Sequence, residues 1–420
     1  MQLNRDLDAI KSRQSQTDPA ITASVEAILS DVKKNGDDAV RKYARMFDGF
    51  ASENLLVSDR EIYEAVQRTD ENIKRIINRA IDQIRDFHHN QIESSWSTYK
   101  DNGVMMGQIV RPLSRVALYV PGGIASYPSS VLMNSIPAKL AGVKDIAIFT
   151  PVKADGMVSD IILTAAHFCG INKIYKIGGV HAIAAAAYGT KSIPKADKIV
   201  GPGNIYVATA KKLVYGEVDI DMIAGPSEIL IIADKTANPK YIAADMMSQA
   251  EHDPLASAIL ITTCENIIAE TEIEIERQVA HLSRKDIILQ SLKNYGAAIH
   301  VSSLEEAIAI SNEIAPEHLE ILTVDPISKL PFIQNAGSIF LGHHTPEPLG
   351  DYMSGSNHVL PTGGTAKFYS PLGVYDFVKY SSYSYYPKSV FDEIKDDVTV
   401  FANAEGLDAH ANAVNIRSED

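Results

Sequence analysis

The sequence is poor in cysteine, with only Cys169 and Cys264 among its 420 residues. Two cysteines exclude a disulfide-built scaffold and a four-cysteine zinc site, and they fit a reducing cytoplasm, the location we expect. One lies at a predicted helix end and the other just after a predicted strand, where cysteine usually serves as a small buried residue. A thiolate nucleophile is therefore not expected.

Long apolar runs are also lacking. No stretch approaches the roughly 18 uninterrupted apolar residues that a membrane-spanning helix requires. The N-terminal stretch MQLNRDLDAI has no apolar core of the kind found in secretory signals. We therefore expect neither a signal peptide nor a membrane partner.

Positive charge is in deficit, with 39 Lys and Arg against 53 Asp and Glu, which gives a net charge of −14. An acidic chain does not favour nucleic acid as a partner. Any anionic ligand would have to be held by local groups, such as backbone N–H groups.

The chain does contain a regular alternation of strand and helix patterns. After a mainly helical first hundred residues, short apolar runs alternate with helical periodicity from RVALYV, residues 115–120, onward. A second stretch of the same kind begins at EILIIAD, residues 228–234. This alternation predicts an α/β protein with two incomplete, doubly wound, Rossmann-like domains. Such parallel sheets bind ligands at the carboxyl ends of their strands.

The predicted domain division follows these patterns. We expect a helical N-terminal segment, a discontinuous α/β domain, a Rossmann-like domain and a mostly helical tail, over residues 1–19, 20–118 with 229–372, 119–228 and 373–420, respectively. Residues 343–373 are rich in Gly, Pro and polar residues. A loop of this length inside a compact domain is usually functional or disordered.

Two short motifs carry candidate chemistry. In SQAEHDP, Gln249 and His252 are three apart on a predicted helix, so they share a face that could present an amide oxygen and an imidazole to a metal. A polar helix end explains the same pair. In IAPEHLEI, Glu317 and His318 would give two proton acceptors tunable to near-neutral pH. An acid at a helix start beside a surface histidine is the alternative.

Further polar candidates lie toward the C-terminus. PLGDYMSGSNHVLPT supplies Asp351, Asn357 and His358, although Asp and Gly also favour ordinary turns. EGLDAHANAV supplies Glu405 and His410, for which the exposed face of a terminal helix is an equally simple explanation.

Three strand ends in the first α/β stretch contain glycine: VPGG, IGGVHA and GPGN, at residues 120–123, 177–182 and 201–204. Backbone amides at such positions can meet a phosphate at a helix N-terminus. The complete G-x-G-x-x-G fingerprint is absent, and a tight turn explains each motif singly. Their occurrence together favours a ligand cleft. Ser227 lies outside any G-x-S-x-G elbow, which disfavours a serine hydrolase.

Together these motifs resemble the L-histidinol dehydrogenase family closely. The family's order is followed over roughly residues 20–415 by ALYVPGG, VGPGN, IDMIAGPSEILIIAD, SQAEHDP, APEHLEI, GSIFLG, PLGDYMSGSNHVLPTGG and LDAHANAV. The resemblance implies an NAD-dependent, zinc-dependent dehydrogenase that oxidises L-histidinol through L-histidinal to L-histidine with two NAD, in the last steps of histidine biosynthesis. It also implies a homodimer in which each C-terminal tail crosses to the partner and completes its site.

The resemblance further implies roles for individual residues. The implied zinc ligands are Gln249, His252, Asp351 and His410. The implied proton acceptors are Glu317 and His318. The implied substrate contacts are Ser227, Gln249, His252, His318, Asp351, Glu405 and His410. The implied NAD contacts are Tyr119, Asn204 and His181, the last of which stands where the family usually has glutamine.

Other functions fit parts of the pattern. A zinc hydrolase would use Glu317 as base without a dinucleotide, so NAD binding distinguishes it from a dehydrogenase. A non-catalytic binding module would be indifferent to replacement of Glu317 and His318. A dehydrogenase of another amino alcohol would differ at the substrate contacts, of which Ser227 and Glu405 are the positions to inspect.

Overall fold

The computed structural model describes residues 3–6, 18–49, 54–122, 126–153 and 155–418. The chain divides into two compact units, which we describe separately. The first comprises Met1–Gln91 and Leu113–Phe377, and the second comprises Ile92–Pro112 and Val378–Asp420. In the part of the chain that the structure describes, no helix has both the length and the apolar character needed to cross a bilayer.

Within the described residues, the first helices of the first unit are α1 (Pro19–Asn35), α2 (Asp37–Phe47), α3 (Asp59–Arg68) and α4 (Glu71–His89). Their starts follow ordinary capping chemistry. Asp18 and Asp70 accept hydrogen bonds from backbone N–H groups of α1 and α4, and Ser58 forms a capping box with Glu61 at α3.

The predicted N-terminal helix over 1–19 is wrong for residues 3–6, and residues 1, 2 and 7–17 lie outside the described residues. Asn4 forms a parallel bridge to Ala297, with its N–H donating to the carbonyl of Gly296. Ala297 belongs to an edge strand, whose unpaired backbone groups attract any extended segment nearby. That pairing, together with burial of Leu3, outweighs local helix preference.

Two strands of the second unit follow, β1 (Trp96–Tyr99) and β2 (Met105–Pro112), and they pair in antiparallel fashion. The prediction assigned these residues to the discontinuous α/β domain. The structure groups them instead with the C-terminal tail.

The first parallel sheet comes next, in the first unit. Its strands are β3 (Arg115–Tyr119), β4 (Asp145–Phe149), β5 (Ile174–Tyr175), β6 (Lys198–Val200) and β7 (Asp219–Ile220). The intervening helices are α5 (Pro128–Leu140), α6 (Asp160–Phe168), α7 (Gly179–Tyr188) and α8 (Ile205–Val214). The strand order is β5-β4-β3-β6-β7, so the winding direction reverses between β3 and β6.

The second parallel sheet has strands β8 (Glu228–Ala233), β9 (Ser257–Thr262), β10 (Gly296–His300), β11 (His318–Leu322) and β12 (Ser338–Leu341). Its helices are α9 (Pro239–Ala250), α10 (Glu265–Val279), α11 (Lys285–Tyr295) and α12 (Leu304–Ile314). Along β8, Ile229 and Ile231 enter one core while Leu230 and Ile232 enter another. Burial on both faces explains the uninterrupted apolar run EILIIAD.

The two sheets have the same topology, because the second is ordered β10-β9-β8-β11-β12. The prediction of an α/β fold with two doubly wound sheets is therefore confirmed. Only residues 221–227 separate the carboxyl end of β7 from the amino end of β8. Seven residues span at most about 25 Å when fully extended, so these opposite edges of the two sheets face a common region.

The Gly- and Pro-rich segment 343–373 contains one short helix, α13 (Glu347–Tyr352), and a 3₁₀ turn at Thr365–Lys367. The Asn357 amide donates to the carbonyl of Met133 at 2.8 Å, which fixes this segment to α5 of the first sheet. Leu372 N–H donates to the carbonyl of Val359, which closes the segment on itself.

The second unit is completed by β13 (Val378–Tyr385), α14 (Lys388–Ala404) and α15 (Asp408–Asn415). The prediction of a mostly helical tail missed β13, which pairs antiparallel with β2. Tyrosine and β-branched residues favour strands, and the run VKYSSYSY alternates them with serine. The crossing of this tail to a partner stays a prediction.

Candidate active site

Glu317 and His318 lie at the amino end of β11. The preceding helix α12 ends at Ala315, whose φ of +55° makes it the only described non-glycine residue with a positive φ. This left-handed residue and Pro316 turn the chain abruptly from helix into strand. The two predicted proton acceptors therefore lie at the edge opposite to the carboxyl edge where the parallel-sheet rule expects ligands.

The backbone of Glu228 holds both side chains. Its N–H donates to Oε2 of Glu317 at 2.9 Å, and its carbonyl lies 3.0 Å from Nδ1 of His318. A carbonyl can only accept, so Nδ1 carries the proton and Nε2 keeps its lone pair. Nε2 is buried and has no hydrogen-bond partner in the described part of the chain. The imidazole is thus fixed in the tautomer that can accept a proton at Nε2.

Burial determines the acid–base character of the pair. Burial raises the pKa of the Glu317 carboxyl well above its ordinary value, against the lowering effect of the hydrogen bond from Glu228. Burial lowers the pKa of His318 to about 4, although the nearby carboxylate of Asp351 opposes this shift. His318 is therefore neutral at pH 7, as a proton acceptor must be.

Two carboxyl groups of α13 approach the imidazole. Oε1 of Glu347 lies 3.7 Å from Nε2 of His318. One ligand atom from each of His318, Glu347 and Asp351 falls within a mutual distance of 4.8 Å, a spacing at which they could hold a metal ion. Of the four predicted zinc ligands, this group includes Asp351 alone.

Glu347 is anchored from the interior of the second sheet. Its N–H donates to Oε1 of the fully buried Glu320 at 2.7 Å, and Ser248 on α9 donates to its carboxyl at 3.4 Å. Burial raises the pKa of Glu347 to about 9, and the negative charge of Asp351 adds to the shift. In the metal-free chain, Glu347 therefore holds its proton at neutral pH.

Gln249 and His252 lie where α9 returns to the amino edge of the second sheet. The helix ends at Ala250, two residues earlier than predicted, because N–H groups of Glu251 and His252 bond back to the carbonyls of Met247 and Gln249 in a tightened last turn. Gln249 is 1% exposed and its Oε1 has no partner among the described residues. His252 is exposed, yet near enough for its charge to lower the pKa of His318.

The remaining first-unit candidates at this edge are Ser227 and His358. Ser227 is half-buried immediately before β8, and its carbonyl accepts from Ser257 N–H. Burial lowers the pKa of His358, with Asp351 acting in the opposite direction, and its Nε2 has no partner in the described chain. His358 thus lies within electrostatic range of His318 and Asp351.

Tyr119 lies at the carboxyl edge of the first sheet. Its hydroxyl accepts the N–H of Gly179 at 3.0 Å, at the start of α7. Burial raises the pKa of Tyr119 to about 12, so the phenol remains protonated at neutral pH. A protonated hydroxyl that accepts one hydrogen bond can also donate its own O–H.

His181, in the first turn of α7, is 1% exposed, and neither ring nitrogen has a hydrogen-bond partner among the described residues. Its Nε2 lies 3.7 Å from Oδ2 of Asp48, and the rings of Tyr43 and Phe47 lie 6.3 Å away. Buried polar atoms without partners are uncommon in folded proteins and mark places where a ligand is accommodated. The side chain fits a cofactor contact.

Asn204 is exposed at the start of α8. Its side-chain oxygen accepts from the N–H groups of Tyr206 and Val207, both at 3.1 Å, which makes it the N-cap of this helix. The side-chain NH₂ is thereby directed away from the helix and is the group available to a ligand.

Glu405 and His410 belong to the second unit. Both are exposed, Glu405 at the end of α14 and His410 in α15. They border an open groove of about 580 Å³, whose other lining side chains include Val398, Phe401 and Leu407. Phe401 is 69% exposed within the described chain.

Sequence reasoning missed the buried acids Glu320 and Glu347, which are joined to Asp245 of α9. Burial raises the pKa of Glu320 well above its ordinary value and that of Asp245 to about 6. Two signals could have found them. Glu347 precedes Asp351 by four residues, the spacing of one helical face, and Glu320 shares a strand face with His318.

The fold and these groups define an α/β enzyme built on two parallel sheets. One sheet carries Tyr119 and glycine-containing turns at the carboxyl ends of its strands, where doubly wound sheets bind ligands. The other begins with a buried carboxyl–imidazole pair beside candidate metal ligands.

Comparison with known proteins identifies the family. The sequence profile of histidinol dehydrogenase matches residues 11–418. The histidinol dehydrogenase of Lactococcus lactis is 59% identical over 98% of this chain and 96% of its own length, and that of Clostridium acetobutylicum is 53% identical over 97% and 95%. The crystal structure of histidinol dehydrogenase from Elizabethkingia anophelis superimposes with a TM-score of 0.93 at 39% identity, covering 98% of this chain and 95% of that one. The chain belongs to the histidinol dehydrogenase family.

Proposed function

We propose that the chain oxidises L-histidinol through L-histidinal to L-histidine, using two NAD and one zinc ion per subunit, as the last steps of histidine biosynthesis. Family membership supports the reaction. The observation that carries the chemistry is His318, a buried neutral imidazole whose Nε2 lone pair is unpartnered among the described residues and whose Nδ1 is held by Glu228. The cytoplasmic location expected from the sequence stays a prediction.

The proposed zinc ligands are Gln249, His252, Asp351 and His410. In support, the Oε1 atom of Gln249 is buried without a described partner, which is unfavourable until a cation or a donor satisfies it. Imidazole, carboxylate and amide oxygen together form an acceptable, if unusual, donor set for zinc. When bound there, zinc would act as a Lewis acid that orients the substrate's amine and imidazole nitrogens.

The alternative group of His318, Glu347 and Asp351 gives a test of this assignment. Asp351→Asn should weaken zinc binding under either arrangement. Gln249→Ala should weaken it only under the proposed set, and Glu347→Gln only under the alternative. Zinc affinity of the three variants, measured by competition with a chelator at fixed pH, distinguishes the two sets.

The proposed cofactor site is the carboxyl edge of the first sheet, with Tyr119, His181 and Asn204 as contacts. It lies where the sheet reverses its winding direction, at the place where doubly wound folds bind ligands. The first turn of α7 begins at Gly178 and Gly179, whose small size lets a ligand approach the backbone closely. NAD bound there would supply the hydride acceptor for both oxidations.

The proton transfers fall to Glu317 and His318. In the first oxidation, Nε2 of His318 accepts the hydroxyl proton of histidinol as the carbon-bound hydrogen leaves with its electron pair, giving the aldehyde. Glu317 then takes a proton from water, which adds to the aldehyde carbon to give the hydrate. In the second oxidation, Nε2 of His318 accepts a hydroxyl proton of the hydrate, and loss of a second hydride yields the carboxylic acid.

We propose that water, and not a cysteine thiolate, adds to the aldehyde. Burial raises the pKa of Cys169 to about 11, so a thiolate is not formed there near neutral pH. A buried carboxyl with a raised pKa, such as Glu317, is the stronger base once it is ionised. Glu317 is therefore assigned to the hydration step.

We also propose a homodimer in which Glu405 and His410 complete the partner's site. The exposed apolar side chains around these two residues support a surface that is covered on assembly. In that case zinc content should fall when the dimer is diluted to monomers, as measured by ultracentrifugation with metal analysis. A monomer with full zinc and full activity would contradict the proposal.

The activity is tested by measuring NADH formed from L-histidinol, with metal-free and zinc-loaded protein side by side. We expect two NADH per histidinol, and only with metal. One NADH per histidinol would contradict the four-electron course. NAD binding without turnover of histidinol would indicate another amino alcohol, and absence of NAD binding would favour a zinc hydrolase.

A further inference from the structure

One buried ion pair holds both backbone groups of Gly201, the first residue of the GPGN turn. The N–H of Gly201 donates to Oδ2 of Asp221 at 2.7 Å, and its carbonyl accepts from Nζ of Lys211 at 2.9 Å. Nζ of Lys211 also contacts Oδ1 of Asp221, and the two side chains are only 3% and 1% exposed. The turn is therefore fixed by charged groups that are excluded from water.

Gly201 also passes directly against the end of β3. Its φ is +116°, and a Cβ atom added to it would lie 2.1 Å from the carbonyl oxygen of Tyr119. The ion pair thus sets how closely the GPGN turn approaches the strand that carries Tyr119. The GPGN turn follows β6, and Tyr119 ends β3. The sheet reverses its winding direction between these two strands.

The ion pair connects three elements that border the proposed cofactor site: the GPGN turn, α8 and the link 221–227. Lys211 comes from α8, whose N-cap is Asn204. Asp221 opens the link 221–227 to the second sheet, and its Oδ1 also accepts from the N–H of Met222 at 2.6 Å. Displacing either charge would release the backbone of Gly201 from the helix and the link that hold it.

Stabilisation of the fold is a poor explanation for the ion pair of Lys211 and Asp221. Buried ion pairs are commonly no more stabilising than apolar residues of similar size, because desolvation of both charges offsets their attraction. Charge-assisted hydrogen bonds do, however, fix geometry more tightly than neutral ones. Here all of the charge-assisted bonds to backbone end on Gly201 and Met222.

We propose that Lys211 and Asp221 are positioning residues for cofactor binding, which preset the GPGN turn so that Tyr119 and Asn204 meet NAD without rearrangement. A preorganised turn gains affinity because less ordering is required when the ligand binds. The inference rests on the proposed use of NAD. It assigns neither side chain to direct contact, since both lie buried beneath the turn.

The central variant is Lys211→Met with Asp221→Asn, which removes both charges and keeps an oxygen for the N–H of Gly201. We expect the dissociation constant for NAD, measured by calorimetry on the full-length chain, to rise about tenfold, the effect of one good hydrogen bond. The affinity for zinc should not change. Lys211→Arg keeps the positive charge but replaces the compact ammonium by a planar guanidinium. We therefore expect a severalfold rise in the dissociation constant for NAD.

Lys198→Met is the matched control, because Lys198 is a second buried lysine nearby, on β6, the strand that leads into the same turn. It contacts Oδ2 of Asp219 at 3.1 Å and Oδ1 of Asp376 at 3.4 Å. Its loss should lower thermal stability without changing NAD affinity.

An unchanged NAD dissociation constant in the folded double variant would overturn the inference, as would an equal change in the Lys198→Met control. If the double variant does not fold, Lys211→Arg decides by the same criterion. Failure of the unmodified protein to bind NAD would instead overturn the proposed function itself, and this inference with it.

Discussion

The two parallel sheets of the first unit share one strand order but present opposite edges to the proposed site. In the first sheet the predicted cofactor contact Tyr119 ends β3, and the predicted contact Asn204 follows the carboxyl end of β6. In the second sheet Glu317 and His318 stand at the amino end of β11. Under the proposed function, the same topology supports a cofactor edge in one sheet and a proton-transfer edge in the other.

The connection between the sheets explains the difference. The seven residues 221–227 lead from the carboxyl end of β7 to the amino end of β8, which brings these two unlike edges to a common region. At the amino edge the backbone of Glu228 is available to hold Glu317 and His318, and α9 returns Gln249 there. The proposed site therefore uses the carboxyl edge of the first sheet, as the general rule expects, and the amino edge of the second.

The substitution His318→Gln is the strongest test of the proposed difference in function between the two sheet edges. We expect kcat for histidinol oxidation to fall by roughly a thousandfold, because a positioned proton acceptor contributes about that much. The dissociation constant for NAD should remain as in the unmodified protein, since the change is confined to the second sheet. Steady-state kinetics and calorimetry measure the two quantities, and an equal loss of NAD affinity would show that the two edges are not separable in function.

The pH dependence of stability should also contain a contribution from His318 of the second sheet. The pKa of His318 in the fold is about 4, below its ordinary value of 6.5. The unfolded chain therefore binds more protons between these pH values, and stability decreases as pH falls through this window. The contribution is roughly 3 kcal/mol at most, from the size of the shift.

Urea unfolding of the metal-free chain at several pH values, compared with His318→Gln, isolates this contribution. The variant should lose less stability than the unmodified protein between pH 6.5 and 4. Parallel curves for the two proteins would contradict burial of a neutral imidazole. Other buried histidines, such as His88, whose pKa is also lowered by burial, affect both proteins equally.

A matched pair of glycine variants, one at each sheet edge, tests whether the two edges have different functions. A Cβ at Gly201 would lie 2.1 Å from the carbonyl oxygen of Tyr119, and a Cβ at Gly337 would lie 2.5 Å from that of Glu317. Each alanine substitution should destabilise the fold by about 1–3 kcal/mol, the usual effect of overpacking. Gly201→Ala should mainly weaken NAD binding, whereas Gly337→Ala should mainly lower kcat. The same pattern of losses in both variants would contradict the division of roles.

The smallest expected effect concerns Asn204. Asn204→Ala removes the N-cap of α8 and should lower stability by about 1 kcal/mol. Asn204→Asp keeps an effective cap but lacks the NH₂ group, so thermal unfolding should be nearly unchanged while NAD binding weakens. Unaltered NAD affinity in the aspartate variant would restrict Asn204 to a capping role.

Much of this arrangement could be predicted from the sequence. Uninterrupted apolar runs such as EILIIAD identify strands that are buried on both faces, and Pro239 after Asn238 marks the start of α9. The roles of the individual site residues are assigned through the resemblance to the histidinol dehydrogenase family, and they stay predictions.

The parts that sequence missed depend on contacts between distant segments. Glu320 shares a strand face with His318, but only the fold brings it against Glu347 and Asp245. The strand β13 needs β2, more than 260 residues earlier, to satisfy its backbone. The edge at which Glu317 and His318 act depends on the left-handed conformation of Ala315, which its residue type does not suggest.

The most direct test is a crystal structure of the zinc-loaded protein with NAD and histidinol bound. The division of roles predicts that the dinucleotide lies against Tyr119 and Asn204, with the substrate hydroxyl within hydrogen-bond distance of Nε2 of His318. A dinucleotide bound at the carboxyl ends of the second sheet, beyond Ala233 and Thr262, would contradict it.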